Sequence, residues 1–250
     1  ISGTLRGFNK IDNSQFCLDE MEMLSTIAAP AAIASKNATL YEEQQQTYLN
    51  TIQALVSAIE ASDSYTRGHS ERVTRYSLEI GQRMDLSEDR LQVLERAAIL
   101  HDIGKIGIDL SLLHKEGKLT SNDVHELQQH PTIGMKILEP IEFLLDVRTC
   151  IGQHHERFDG MGYPNRIKHI EQLLESRILT VADAFDAMTT DRPYRKALTL
   201  EAAIAELNDN SGSQFDPAIV NVFVSVLNEG VFFQSRFKEA PLYYNSAPYA

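Results

Sequence analysis

The chain has 250 residues, 43% of them hydrophobic, with two cysteines, no tryptophan and a formal charge of −12. That length can bury one large core or two small ones, and the acidic balance argues against a broad basic surface for duplex nucleic acid. Cys17 and Cys150 are too few for a disulfide framework or a thiolate metal site and point to a reducing cytoplasm, and no apolar run reaches the roughly 18 residues that a bilayer span needs. The chain opens on Ile1-Ser2-Gly3-Thr4, neither an initiator Met nor a signal peptide, which reads as a piece of something longer. Thr4 to Phe8 alternate weakly, as a short strand does, and Asp12-Asn13-Ser14 reads as a turn. A long helical pattern starts near Leu18. Its seam passes through Leu24, Ile27, Ala31, Ala34, Ala38, Tyr41, Gln45, Tyr48, Ile52, Leu55 and Ile59, alternating steps of three and four. That heptad rhythm predicts a parallel dimer helix, the alternative being one helix packing its stripe on its own domain. Pro30 is expected to kink or interrupt it, and Gln45 to set register between two chains.

Helix follows helix from Ser64. His69, Val73, Tyr76 and Ile80 share a face; Ser87 is a candidate N-cap for a helix carrying Leu91, Leu94, Ala98 and His101, with Gly104 placed to end it. Thr120 to Asp123 start another helix, and Pro131 makes His130 a boundary. Val147, Ile151, His154 and His155 fall on a helix that stops before the breaker cluster Asp159 to Pro164, and Ile178 to Met188 carry Leu179, Asp183 and Asp186 on one side. No strand pair is evident after residue 60, so the body is all-α.

The chemistry concentrates at His101-Asp102, joined by His69, His130, His154, His155 and Asp183. Each has an ordinary structural explanation alone: a core histidine bonded to a carbonyl, a helix-terminal residue, an ion-pair partner. His69, His101, His154 or His155, and Asp183 lie on or beside apolar stripes, where ionisable groups need a shared partner, and a metal supplies one. Imidazole and carboxylate without thiolate suit iron or manganese, with zinc, nickel or cobalt able to substitute. The charge does not preclude a small phosphorylated ligand, for which Lys105, Arg157, Arg192, Arg195 and Lys196 offer local cations.

The blocks His101-Asp102-Ile103-Gly104-Lys105 and His154-His155-Glu156-Arg157-Phe158-Asp159-Gly160-Met161-Gly162-Tyr163-Pro164 resemble the two signatures of the HD-GYP family. Tyr65 to Ser70, His130-Pro131, Val181-Ala182-Asp183, Asp191 to Arg195 and Gln214 to Pro217 agree with it in order and spacing, so the match covers roughly residues 50 to 230. The N-terminal Gly3 to Lys10, Phe16, Glu20 to Leu24 and Ala31 to Leu40 resemble the last strand and helix of a GAF sensor domain. The resemblance implies an HD-type helical bundle behind a linker helix: a sensor remnant at 1–40, a signalling helix at 41–60, a catalytic domain at 61–230 and a tail at 231–250. It implies a phosphodiesterase of cyclic di-GMP with two divalent metals, one held by His69, His101, Asp102 and Asp183, the second by His130, His154 and His155 with Asp102 bridging. A hydroxide formed between the metals would attack phosphorus in line, giving pGpG and then GMP. Lys105 would neutralise phosphate charge, and Arg192, Arg195, Tyr163 and Asp186 would meet substrate. The alternative for Tyr163 is stiffening of its own loop, and Glu156 and Asp159 either support the cluster or sit on a solvated loop.

Three departures stand out. Tyr65 replaces a Glu that in some members holds a third metal; Asn165 to His169 lack the usual glycines, with Leu173 where Pro is common; and Leu110 makes its loop less polar. The alternatives are a weak or inactive metal-bearing receptor for cyclic di-GMP and an HD hydrolase of another cyclic dinucleotide.

Overall fold

The computed structural model describes residues 15–62, 68–113, 115, 117–191 and 196–230, without the side chains of 59–62. The strand expected at Thr4 to Phe8, the turn at Asp12 to Ser14, Tyr65, Arg192, Arg195 and the tail from Val231 lie outside the described residues. Among the described residues, ten α-helices follow in order: α1 (Leu18–Ser62), α2 (His69–Arg83), α3 (Glu88–Leu100), α4 (Leu110–Leu113), α5 (Ser121–Leu127), α6 (His130–Leu138), α7 (Leu145–Gln153), α8 (Leu174–Thr189), α9 (Leu200–Asp209) and α10 (Pro217–Asn228). Among the described residues, the only β pairing is an isolated bridge between Ser211 and Phe215. The fold is all-α, and no described helix is long and apolar enough to cross a membrane.

The chain divides into two compact units, Ile1–Ile52 and Gln53–Ala250. In the first, α1 begins at Leu18 as the sequence predicts, but it runs through Pro30 instead of stopping there. A mid-helix proline costs about 3 kcal/mol. Ala28, Ala29, Ala31 and Ala32, the strongest helix formers, flank it and offset part of that cost. The seam residues Ile27, Tyr41 and Tyr48 are exposed, while Leu24 and Gln45 are half-buried.

In the second unit, α2 packs on α3, α8 and α10, and α3 on α7 and α8. Tyr76, Phe185 and Phe223 interlock at the centre, with Phe185 edge-on to both neighbours at centroid distances of 5.2 and 5.0 Å. Ile80, Leu94, Ile178, Val181, Leu207 and Ile219 surround them, fully buried. This core clamps α2, α3 and α8, the elements that carry or adjoin His69, His101 and Asp183.

Local chemistry sets the helix starts. Thr120 and Asp123 close a reciprocal capping box on α5, Thr199 accepts from the Ala202 amide, and Asp216 caps α10 ahead of Pro217. Ser87 occupies the N-cap of α3, without a side-chain cap bond. Gly104 does not terminate α3, which ends at Leu100 and gives way to a 3₁₀ turn over Ile103–Gly107. The demand on Gly104 is tertiary: a Cβ there would stand 1.9 Å from the His130 carbonyl oxygen. Only glycine allows the turn after His101-Asp102 to approach the start of α6 so closely.

Candidate metal centre

Three helix ends aim imidazoles at one point by the same device. The last carbonyls of a helix have no intrahelical partner. In α3, His101 follows the helix and its Nδ1 lies 2.8 Å from the Ala98 carbonyl oxygen. His130 Nδ1 lies 2.8 Å from the Leu127 carbonyl at the end of α5, and His154 Nδ1 2.6 Å from the Ile151 carbonyl at the end of α7. A carbonyl only accepts, so each Nδ1 carries the hydrogen, which leaves Nε2 as the lone-pair nitrogen facing inward. Thr180 on α8 donates its hydroxyl to the His154 carbonyl oxygen at 2.8 Å, tying that corner to the core helix. His130 therefore opens α6, instead of closing the helix before it.

The inward nitrogens form two groups. His69, His101 and Asp183 offer ligand atoms within 4.8 Å of one another, and so do His130, His154 and His155. His69 Nε2 lies 3.2 Å from His101 Nε2 and 3.4 Å from Asp183 Oδ1; His130 Nε2 lies 3.2 Å from His154 Nε2. Asp102 stands between the groups. Its Oδ2 is 3.5 Å from His101 and 3.8 Å from His69, and its Oδ1 is 3.6 Å from His130. Two sets of nitrogen and carboxylate donors joined by a carboxylate with one oxygen on each side fit a pair of divalent transition metals, and no sulfur ligand is present to favour a softer ion.

Electrostatics differ between the halves. Burial, with His155 as the next contributor, holds His154 well below the usual imidazole range, and burial with His130 pushes His155 down to about 3. Both are neutral ligands at any physiological pH. Burial also tends to lower His69, but hydrogen bonds to Asp183 and Asp186 outweigh it and lift His69 to about 9. Burial would raise Asp183 and Asp102, yet the His69 bond holds Asp183 low, and Lys105 and the neighbouring histidines hold Asp102 low. In chelator-stripped protein His69 is thus protonated below about pH 9, and a metal entering that half must displace the proton. The affinity of the His69 half is expected to fall about tenfold per pH unit below that point, while the His154–His155 half holds its metal at pH 6. Calorimetric titration with manganese in buffers of different ionisation heat checks this through the protons released.

Asp186, which the sequence places among the substrate contacts, is turned onto His69 and Arg72. It is 1% exposed, its Oδ2 accepts from His69 Nδ1 at 2.7 Å, and Arg72 Nε donates to Oδ1 at 2.6 Å. The pair Arg72–Asp186 orients the His69 ring, as the helix-end carbonyls orient those of His101, His130 and His154. The sequence signal was available: His69/Arg72 and Asp183/Asp186 are each spaced by three on facing helices.

Lys105 Nζ donates to Asp102 Oδ2 at 2.6 Å. Tyr163 is half-buried and stacks on His155 at 4.9 Å and 29°, with its hydroxyl raised in pKa by burial, then by Asp183 and Asp102. Asp159 pairs with Arg157 and accepts from the Met161 amide, while Glu156 is buried. Lys196 pairs with Asp191 on the surface. Cys150 is buried and its thiol pushed up to about 12 by that burial, which suits an inert core residue.

The loop that lacks glycines keeps a glycine-like backbone. Arg166 and His169 have φ of 57° and 49°. A side chain in the left-handed region costs about 1–2 kcal/mol. His169 recovers part by stacking on Phe158 at 4.7 Å. Arg166→Gly is therefore expected to stabilise the domain by a net of about 0.5–1 kcal/mol after the entropy of the unfolded glycine, raising Tm by about 1–4 °C, and His169→Gly by less. Thermal melts of the two variants check it.

A family model described as HD domain matches residues 53–219. The chain is 38% identical over 184 residues to the cyclic di-GMP phosphodiesterase response regulator RpfG of Xanthomonas campestris, covering 73% of this chain and 49% of that protein. It is 36% identical to the 3'3'-cGAMP-specific phosphodiesterase 3 of Vibrio cholerae (71% and 38% covered) and 33% identical to a cyclic di-GMP phosphodiesterase of Thermotoga maritima (93% and 64%). The chain spans 38% to 64% of the length of these three relatives. Among solved structures, a cyclic GMP-AMP specific phosphodiesterase of V. cholerae superposes with a TM-score of 0.60 at 23% identity, covering 74% of this chain and 50% of that one. Bd1817 of Bdellovibrio bacteriovorus, an HDG"Y"P protein, superposes at 0.55 and 21% identity, over 72% and 60% of the two chains. These two likenesses support the helical fold, and the family match, set beside the histidine-aspartate centre, places this chain in the HD domain family.

Proposed function

We propose that this chain is a metal-dependent phosphodiesterase of the HD-GYP subgroup that hydrolyses cyclic di-GMP to linear pGpG, with GMP as a further endpoint. The observation that carries the reading is Asp102, shared between two three-residue ligand groups, with the Tyr163 loop stacked on one of them. Iron or manganese is the preferred pair on ligand chemistry. His69, His101, Asp102 and Asp183 would hold one ion and His130, His154 and His155 the other; such a pair supplies Lewis acidity toward a phosphodiester and acidifies bound water.

The remaining work falls to the chain itself. Carbonyls and Asp186 fix the ring tautomers before substrate arrives, so little reorganisation accompanies reaction. Lys105, paired with Asp102, is placed to balance negative charge gathering on phosphate oxygens. Tyr163 walls the His155 side. Arg192 and Arg195 supply planar cations for phosphate or guanine edges. Hydrolysis adds water across one P–O3′ bond and leaves the ribose hydroxyl as the new end.

The test is anaerobic incubation of iron- or manganese-loaded protein with cyclic di-GMP, 3'3'-cGAMP and cyclic di-AMP, followed by chromatography. Linear pGpG formed fastest from cyclic di-GMP is expected; no linear product from a verified metallated sample rejects the reading. The left-handed Arg166 and His169 favour one alternative, a receptor that binds without turnover, and tight binding with no product would select it. A sensor remnant of GAF type at residues 1–40 and cytoplasmic residence complete the proposal. The exposed seam residues Ile27, Tyr41, Tyr48 and Leu55 support pairing of α1 with a second copy. Gln45→Leu is expected to tighten that dimer about tenfold, read by sedimentation equilibrium.

A further inference from the structure

Glu156 directly follows the two site histidines, yet its side chain is 1% exposed and turned into the protein. Oε1 accepts the backbone N–H groups of Asn165 at 2.6 Å and Arg166 at 3.0 Å. Oε2 is buried with no hydrogen-bond partner. A carboxylate enclosed this way is costly to keep, and charge-assisted bonds to two successive amides are the visible compensation.

Those amides belong to a turn with a demanding backbone. Arg166 sits at φ 57° without being glycine. On the near side of the turn, a Cβ at Gly162 would stand 2.3 Å from the Arg157 nitrogen and 2.6 Å from Glu156 Cα, so the strand of loop carrying Tyr163 runs directly over Glu156. The Tyr163 amide donates to the His155 carbonyl at 3.2 Å, and its ring stacks on the His155 ring. Gln172 Nε2 closes the far end, donating to the Arg157 and Ile167 carbonyls at 2.7 Å each.

We propose that Glu156 is a positioning residue on the His155 side of this centre: by holding the Asn165 and Arg166 amides it sets the Tyr163 ring against His155, and through it the plane of that histidine. Glu156 touches neither substrate nor reacting atoms; it acts through the loop. The consequence for turnover rests on the phosphodiesterase reading above, whereas the placement of Tyr163 does not.

The experiment uses the full chain loaded with diamagnetic zinc and isotopically labelled at tyrosine, with Tyr163→Phe assigning the Tyr163 ring signals. Glu156→Ala is expected to move those signals toward solvent-exposed values as the stack on His155 opens. Glu156→Gln keeps one neutral acceptor and falls between. Adding Arg166→Gly to Glu156→Ala is expected to recover most of the shift, because glycine holds the left-handed turn without the anchor. In parallel, kcat/KM for cyclic di-GMP should fall at least about tenfold in Glu156→Ala at unchanged metal content, with recovery in the double variant. Tyr163 signals that stay in place in Glu156→Ala, or no recovery with Arg166→Gly, overturn the proposal. A wild-type chain without turnover whose Tyr163 signals respond as described upholds the positioning role and rejects the phosphodiesterase reading instead.

Discussion

Asp102→Ala is expected to empty both halves of the centre together and to lower turnover by a factor on the order of 10³ or more, the several kcal/mol that metal assistance contributes. The reason is geometric. One oxygen of Asp102 faces His69 and His101 and the other faces His130, so a single substitution removes a ligand from each side. It also removes the carboxylate charge that offsets two cations held close together. Substituting His154 should be milder on the far side, since the His69–His101–Asp183 group keeps its own ligands. Metal analysis and turnover of the two variants side by side provide the check. A loss confined to one metal in Asp102→Ala, with most activity retained, would mean the carboxylate does not bridge.

Lys105→Met is expected to lower kcat by about 10²-fold while both metals stay bound. Lys105 Nζ lies 2.6 Å from Asp102 Oδ2, and the side chain is about a quarter exposed, with 26% of its surface open. On the proposed reading, that position would let the ammonium meet both Asp102 and an incoming phosphate. Methionine keeps the length and apolar stem and removes only the charge. Were the lysine merely a partner for Asp102, the variant would weaken metal binding instead, and kcat at saturating metal would return to the wild-type value. Arginine is not expected to rescue, because its planar fork is wider than the ammonium it replaces.

Much of the fold was legible because local chemistry and tertiary need agree. The start of α1 near Leu18, Ser87 ahead of α3 and the helix start at Thr120 to Asp123 were readable from N-cap residue types and hydrophobic period. His69, His101, Asp183 and one of His154 and His155 stood out in the sequence because they fall on or beside apolar stripes, where solvation gives no reason to keep a histidine or a carboxylate. What escaped the sequence is set by contacts distant in the chain. Gly104 reads as a helix stop, yet its constraint comes from the His130 carbonyl. Asp186 shares a face with Asp183 and so reads as a substrate contact, but Arg72, 114 residues away, claims one of its oxygens. Pro30 reads as a break, and a run of alanines carries the helix through it. The missing glycines of the Tyr163 loop could be seen in the sequence; that their replacements Arg166 and His169 still adopt the left-handed backbone could not.

Anomalous diffraction at the metal edge, from crystals grown anaerobically with iron or manganese, tests the dinuclear centre most directly. Two peaks per chain are predicted, one among His69, His101 and Asp183 and the other among His130, His154 and His155, with an Asp102 oxygen on each. A single peak, or two that leave Asp102 unliganded, would contradict it.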